Sequence, residues 1–235
     1  MPVYNNQSTI SELTAIPFPY IGSDESGKGD YFGSMVIAGV WIDESIKDKF
    51  ESIGIKDSKL LSDKRCKDIA YQIRDICRGR FQVVEISPER YNTLYDEFKR
   101  EGKNLNHILA WGHSRVIENL VTSNPCLYAA ADQFGNERYI LSRLMTKGRG
   151  IKLFQFTKGE RYIGVAAASI LARDKFLTSI DRLSGEYGIK IPKGASNTVI
   201  LPATQIFDKK GIEGLKKTVK LHHKTTQKVL NAVRK

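Results

Sequence analysis

Apolar and polar positions along this chain alternate between two periods. Short apolar or β-branched runs mark strands: Tyr20-Ile21 leading into a polar segment, then Tyr31 to Ile42, Phe81 to Ile86, Leu127 to Ala131 and Ile151 to Thr157. Between them the spacing turns helical. After Ser62, residues Cys66, Ile69, Ala70, Ile73, Ile76 and Cys77 recur on one helical face, and Gly79 stops the run. Ser87-Pro88-Glu89 supplies an N-cap, a proline at the first helical position and an acid in the first turn. Asn104 to Val121 carries Leu105, Ile108, Leu109, Trp111 and Val116 at helical spacing. Val165 to Ala172 is rich in alanine, and its small residues suit a helix lying close to a sheet. Past Pro192 the pattern predicts basic helices over Thr204 to Leu215 and Lys217 to Val233. Strands in succession, followed by strands alternating with helices, predict an α/β fold built on a sheet of mixed strand directions. Residues 1–19 read as a polar N-terminal tail, and 20–235 as one domain with C-terminal helices.

The charge balance adds a constraint. The chain has 235 residues and a formal net charge of +11, which favours a polyanionic partner such as nucleic acid. No apolar run approaches the roughly 20 residues a membrane helix needs, and the N-terminus lacks the order of a secretory signal. The three cysteines (Cys66, Cys77 and Cys126) are scattered and form no CxxC, against both a disulfide framework and a zinc knuckle. A reducing, cytoplasmic setting is expected.

Against this basic background, the segment from Ile21 to Asp30 concentrates carboxylates at Asp24, Glu25 and Asp30. It matches most of a phosphate-binding loop, from Gly22 to Gly27-Lys28. However, Gly29 occupies the position of the magnesium-binding hydroxyl, and a strand rather than a helix is predicted to follow. Clustered acids in a basic chain fit divalent cations held against a polyanion. Asp24 and Glu25 are adjacent and would face opposite sides of a strand, so a shared site needs a strand end. Asp132 closes an apolar strand, and Glu160 precedes the alanine-rich helix; both complete a plausible set. Hard oxygen ligands suit Mg²⁺ or Mn²⁺, and two ions about 3.5–4 Å apart serve phosphodiester cleavage. Taken singly, a lone acid reads better as a solvated surface charge; the adjacency of Asp24 and Glu25, and an acid closing an apolar strand, favour a metal site. The histidines (His107, His113, His222 and His223) show no ligand spacing and are assigned to core or surface roles.

Together these segments resemble the type 2 ribonucleases H, and within them ribonuclease HIII. The resemblance runs from Tyr20 onward through Ser23–Gly33, Lys56–Ser62, Asn104-Leu105-Asn106 with Ala110-Trp111, Ala131–Phe134, Thr157–Glu160, Ala166–Arg173 and Pro192–Ser196. It implies an RNase H-like fold, a five-stranded mixed sheet flanked by helices with a C-terminal helical extension. It further implies Asp24, Glu25, Asp132 and Glu160 as the catalytic, metal-binding set, with Asp174 as the substitute for Glu160. The implied reaction is endonucleolytic cleavage of RNA in RNA–DNA hybrids with two Mg²⁺ or Mn²⁺ ions, leaving 3′-hydroxyl and 5′-phosphate ends. Glu160 and Lys28 look like the HIII pattern; HII relatives usually place Asp and Arg there.

Gly27, Lys28 and Gly29 are expected to meet the ribose and a phosphate, and Ser58 and Lys59 the nucleic-acid backbone. Lys216, Lys217, Lys220, Lys224 and Lys228 are candidates for tracking phosphates. Ribonucleases HIII commonly carry an N-terminal substrate-binding domain. About twenty mostly polar residues precede the first strand here, so a shortened form, or affinity drawn from elsewhere, is expected. The competing readings are HII-like incision at a single ribonucleotide in duplex DNA, and a nucleic-acid-binding module without catalysis. A monomer with no membrane partner is expected.

Overall fold

The computed structural model describes residues 16–55 and 61–233. Five strands form one sheet: β1 (Tyr20–Ser26), β2 (Met35–Ile42), β3 (Phe81–Ile86), β4 (Tyr128–Asp132) and β5 (Lys152–Phe156). Their order is β3-β2-β1-β4-β5. β2 runs antiparallel to β1 and β3, whereas β1, β4 and β5 are mutually parallel. The mixed sheet expected from the alternating pattern is therefore present.

Helices cover both faces. They are α1 (Glu44–Ser52), α2 (Asp63–Cys77), α3 (Pro88–Arg100), α4 (Leu105–Ser123), α5 (Arg138–Leu141), α6 (Ile163–Tyr187), α7 (Ile200–Thr218) and α8 (Thr225–Val233). Alternate residues along each strand pack into separate cores. Tyr20, Val36, Ala38, Ala130 and Phe154 join the layer that contains α6 and α2, with Cys66 and Cys77 as small core residues. Ile21, Ile37, Ala129, Ala131 and Leu153 join the α4 layer. Coverage on both faces explains why β2 reads as a nearly continuous apolar run.

The alanine-rich helix approaches the sheet as its composition predicts. A Cβ at Gly22 would stand 2.1 Å from the Gly164 carbonyl carbon and 2.4 Å from the Val165 nitrogen. Only glycine allows strand β1 and the start of α6 to meet there. The helix runs on to Tyr187, well beyond Ala172, until Gly188 ends it in a left-handed turn.

Three boundaries differ from the periodicity. Strand β2 begins at Met35 and not at Tyr31, because Gly33 takes a φ of +80° and breaks the extended run. Tyr31 and Phe32 are nevertheless fully buried, and Phe32 bridges to Val219. Helix α1 was not visible in the spacing, although Asp43 caps it and only Ile46 and Phe50 anchor it. The last helix starts at Thr225 and not at Lys217. Residues 219–224 form the crossing segment, in which the Lys220 backbone N–H donates to the Tyr31 carbonyl. The N-terminal residues expected to be a polar tail lie mostly outside the described residues, but Ile16 is buried in the core.

Candidate active site

The sheet register creates the site. The last β1–β4 pair is Ser23 with Ala131, so the next residues along the two parallel strands are Asp24 and Asp132. Both continue the side of the sheet defined by Tyr20 and Ala130, which faces α6. Glu25, one residue on, points to the α4 face. The adjacent acids line one cleft because they stand at the end of a strand, where open α/β sheets commonly bind ligands.

These residues line a cleft of about 480 Å³, together with Gly27, Lys28, Gly29, Asp30, Ser169, Arg173 and Lys193. The Asp24 carboxylate accepts from the Glu25 backbone N–H at 2.8 Å and from the Ser169 hydroxyl. Burial, the Glu25 charge and the Asp132 charge together push its pKa up to about 8, against those hydrogen bonds. Glu25 behaves oppositely. Burial would raise its pKa, but His113 and Lys28 hold it below the ordinary value. The Lys28 ammonium lies 3.6 Å from Glu25 Oε1, and His113 Nε2 lies 3.2 Å from Oε2.

Asp132 Oδ1 accepts from the Gly159 backbone N–H at 2.9 Å. That contact ties the turn Gly159–Arg161 to the end of β4. A Cβ at position 159 would come 3.0 Å from the Asp132 Cα, so glycine permits the approach. Glu160 follows directly, partly buried, but it does not line the cleft. Asp174 is no substitute: it is buried and ion-paired with Arg74.

Gly27 and Gly29 differ in what requires them. Gly27 has a φ of +84°, and a Cβ there would meet the Ser34 carbonyl oxygen at 2.3 Å. Gly29 has neither constraint, and a Cβ would find nothing within 4 Å. Packing therefore does not explain glycine at position 29. Asp30, the third acid of the segment, accepts from the Gly194 N–H at 2.6 Å and so fixes the turn against the Pro192–Ser196 stretch. Ser58 and Lys59 lie outside the described residues.

Two sequence expectations change. Lys220 tracks no phosphate: it is fully buried, and its Nζ donates to the carbonyls of Asp30 at 2.9 Å, Phe32 at 3.4 Å and Gly33 at 2.7 Å. Burial pushes its pKa down to about 7. His113, assigned from its spacing to a core or surface role, is buried but touches Glu25. Its one sequence signal was its place one turn from the core residues Leu109 and Val116.

The donor set consists of hard carboxylate and hydroxyl oxygens in an open cleft, which fits magnesium or manganese. Among the described residues, no three His, Cys, Asp or Glu side chains form a preformed metal cage. Magnesium does not require one, since it keeps several waters and shares one or two carboxylates with substrate phosphates.

Comparison with known proteins supplies the family. The ribonuclease HII family profile matches residues 21–226. Ribonuclease HIII of Protochlamydia amoebophila is 40% identical over 232 residues, covering 99% of this chain and 74% of the relative. The Chlamydia muridarum ribonuclease HIII is 42% identical over 218 residues, covering 91% and 70%. Among solved structures, Bst-RNase HIII in complex with Mn²⁺ superposes with a TM-score of 0.82 at 33% identity, covering 92% of this chain and 70% of that one. The Pyrococcus horikoshii ribonuclease H2 shares the fold, with a TM-score of 0.75 at 21% identity. Register, cleft and relatives lead to one assignment: the chain belongs to the ribonuclease HII family and is a ribonuclease H enzyme.

Proposed function

We propose that this cleft cleaves the RNA strand of RNA–DNA hybrids, using two Mg²⁺ or Mn²⁺ ions held by Asp24, Glu25, Asp132 and Glu160. The observation that carries the reading is that Asp24 and Asp132 follow the last β1–β4 pair on one face at the strand ends, where the Asp132 charge bears on Asp24. Burial and the neighbouring acids push the Asp24 pKa up to about 8, an environment that a bound cation would offset. When bound, the ions supply activation of a water and stabilisation of the leaving 3′-oxygen. The chain's own groups do the positioning. Ser169 and the Glu25 amide orient Asp24, the Gly159 amide orients Asp132, and Glu160 sits beside that amide as the fourth carboxylate. Gly27 and Gly29 present backbone to the ribose, and the bare space at Gly29 supports close approach of the substrate there. Lys28 lines the same cleft and is the ammonium placed to meet a phosphate there. Hydrolysis in this arrangement leaves 3′-hydroxyl and 5′-phosphate ends.

Asp132→Asn removes a ligand charge while keeping the side-chain shape. Cleavage of a labelled hybrid is expected to vanish in both Mg²⁺ and Mn²⁺, with hybrid binding retained; unchanged cleavage would sink the site. Glu160→Gln in the same assay tests the fourth position. A duplex with one embedded ribonucleotide, run in parallel, separates HIII-like from HII-like substrate choice.

A further inference from the structure

His113 lies on α4, across the sheet from Asp24 and Asp132, and is fully buried. Its ring is held on three sides. Nδ1 is 2.7 Å from Ser23 Oγ, Nε2 is 3.2 Å from Glu25 Oε2, and Phe134 stacks on the ring at 5.0 Å. The Ser23 hydroxyl in turn donates to the Ala38 carbonyl at 3.0 Å. Nε2 faces a carboxylate oxygen, which accepts, so Nε2 carries the donor hydrogen, while the direction of the Ser23–Nδ1 contact follows the tautomer. The chain of contacts begins on the backbone of β2, at the residue paired with Asp24, and ends on a carboxylate oxygen of Glu25. Ser23 and Glu25 are two apart on β1 and share its α4 face, so one imidazole bridges both.

We propose that His113 is a positioning residue for metal binding: it clamps Glu25 Oε2 to the sheet through Ser23 and so turns Oε1 into the cleft. This rests on the reading of Glu25 as a metal ligand. Oε1, the oxygen His113 leaves free, lies 3.6 Å from the Lys28 ammonium. Groups that orient a ligating side chain typically change metal affinity or activity 10–100-fold when removed. A carboxylate without the clamp samples several rotamers, and each ion bound must select one.

The two imidazole nitrogens allow a discriminating test. The amide nitrogen of Gln reaches about as far as Nε2, and that of Asn about as far as Nδ1. His113→Gln therefore keeps the donor to Glu25, and His113→Asn keeps only the contact toward Ser23. Mn²⁺ binding to the substrate-free protein is measured by calorimetry, beside thermal unfolding and hybrid cleavage. The expected result is an affinity loss of roughly 10–100-fold for His113→Asn and only a few-fold for His113→Gln. A purely structural histidine would lower the melting temperature without splitting the two variants. Equal Mn²⁺ affinity in both overturns the proposal. If both fail to fold, Ser23→Ala decides: weaker Mn²⁺ binding in a folded protein supports the clamp, and unchanged binding overturns it. Glu25→Gln is the separate control. Unaltered Mn²⁺ binding and cleavage there would refute Glu25 as a ligand, whatever the His113 variants show.

Discussion

Asp24→Asn is expected to stabilise the metal-free protein while destroying its activity. Burial and the Glu25 and Asp132 charges push the Asp24 pKa from its ordinary 3.8 up to about 8. Between those values the folded state holds a proton that the unfolded chain has released, so stability falls as pH rises. Each pH unit costs about 1.4 kcal/mol, or about 4 kcal/mol between pH 5 and pH 8 as an upper limit. Asparagine carries no charge and removes this slope. It also accepts less well from Ser169 and the Glu25 amide, which returns about 1–2 kcal/mol. The net gain at pH 8 is therefore about 2 kcal/mol, shrinking or reversing at pH 5, where the wild-type carboxyl is already protonated. Urea unfolding of both chains in EDTA, at pH 5 and pH 8, reads this directly. Added Mg²⁺ or Mn²⁺ should raise the stability of the wild type and leave the variant unmoved. Parallel pH dependences in the two chains would refute the idea that burial and neighbouring acids load Asp24 with strain.

Two further perturbations test what surrounds the acids. Gly22→Ala drives a methyl into the backbone of α6, and neither side has a side chain that rotates away. About 3 kcal/mol of destabilisation is expected, with reduced hybrid cleavage as Ser169 is displaced from Asp24; a wild-type melting temperature would contradict the close approach. Lys220→Met keeps the length of the side chain but strips the donor from three carbonyls in residues 30–33. A loss of about 2 kcal/mol corresponds to about 4–8 °C in melting temperature, with faster amide exchange around Tyr31; protection unchanged there would argue against the anchor.

Much of the fold was legible because the strands and helices obey local rules. The serine caps at 62 and 87, the alternating strand faces and the small residues of α6 each carry their own signal. Of the acids singled out in the sequence, Asp24, Glu25 and Asp132 line one cleft, whereas Glu160 does not. What remained hidden depends on distant partners. His113 was judged against other histidines, whereas its partners are Ser23 and Glu25, about ninety residues earlier. Lys220 looked like one more basic residue because nothing nearby in sequence reveals that three carbonyls from residues 30–33 surround it. Strand β2 started late because a single left-handed glycine interrupts an otherwise extended, apolar run.

The anchoring of the 30–33 turn also bears on how the molecule is made. Asp30 and Tyr31 bind the backbone of Gly194, Gly33 donates to Thr218, and Lys220 closes the same turn. Synthesis runs from the N-terminus, so the turn is made 164 residues before its partner Gly194 and 190 residues before Lys220. A nascent ribonuclease of this design carries its acids through that whole interval before the loop beside them is locked in place.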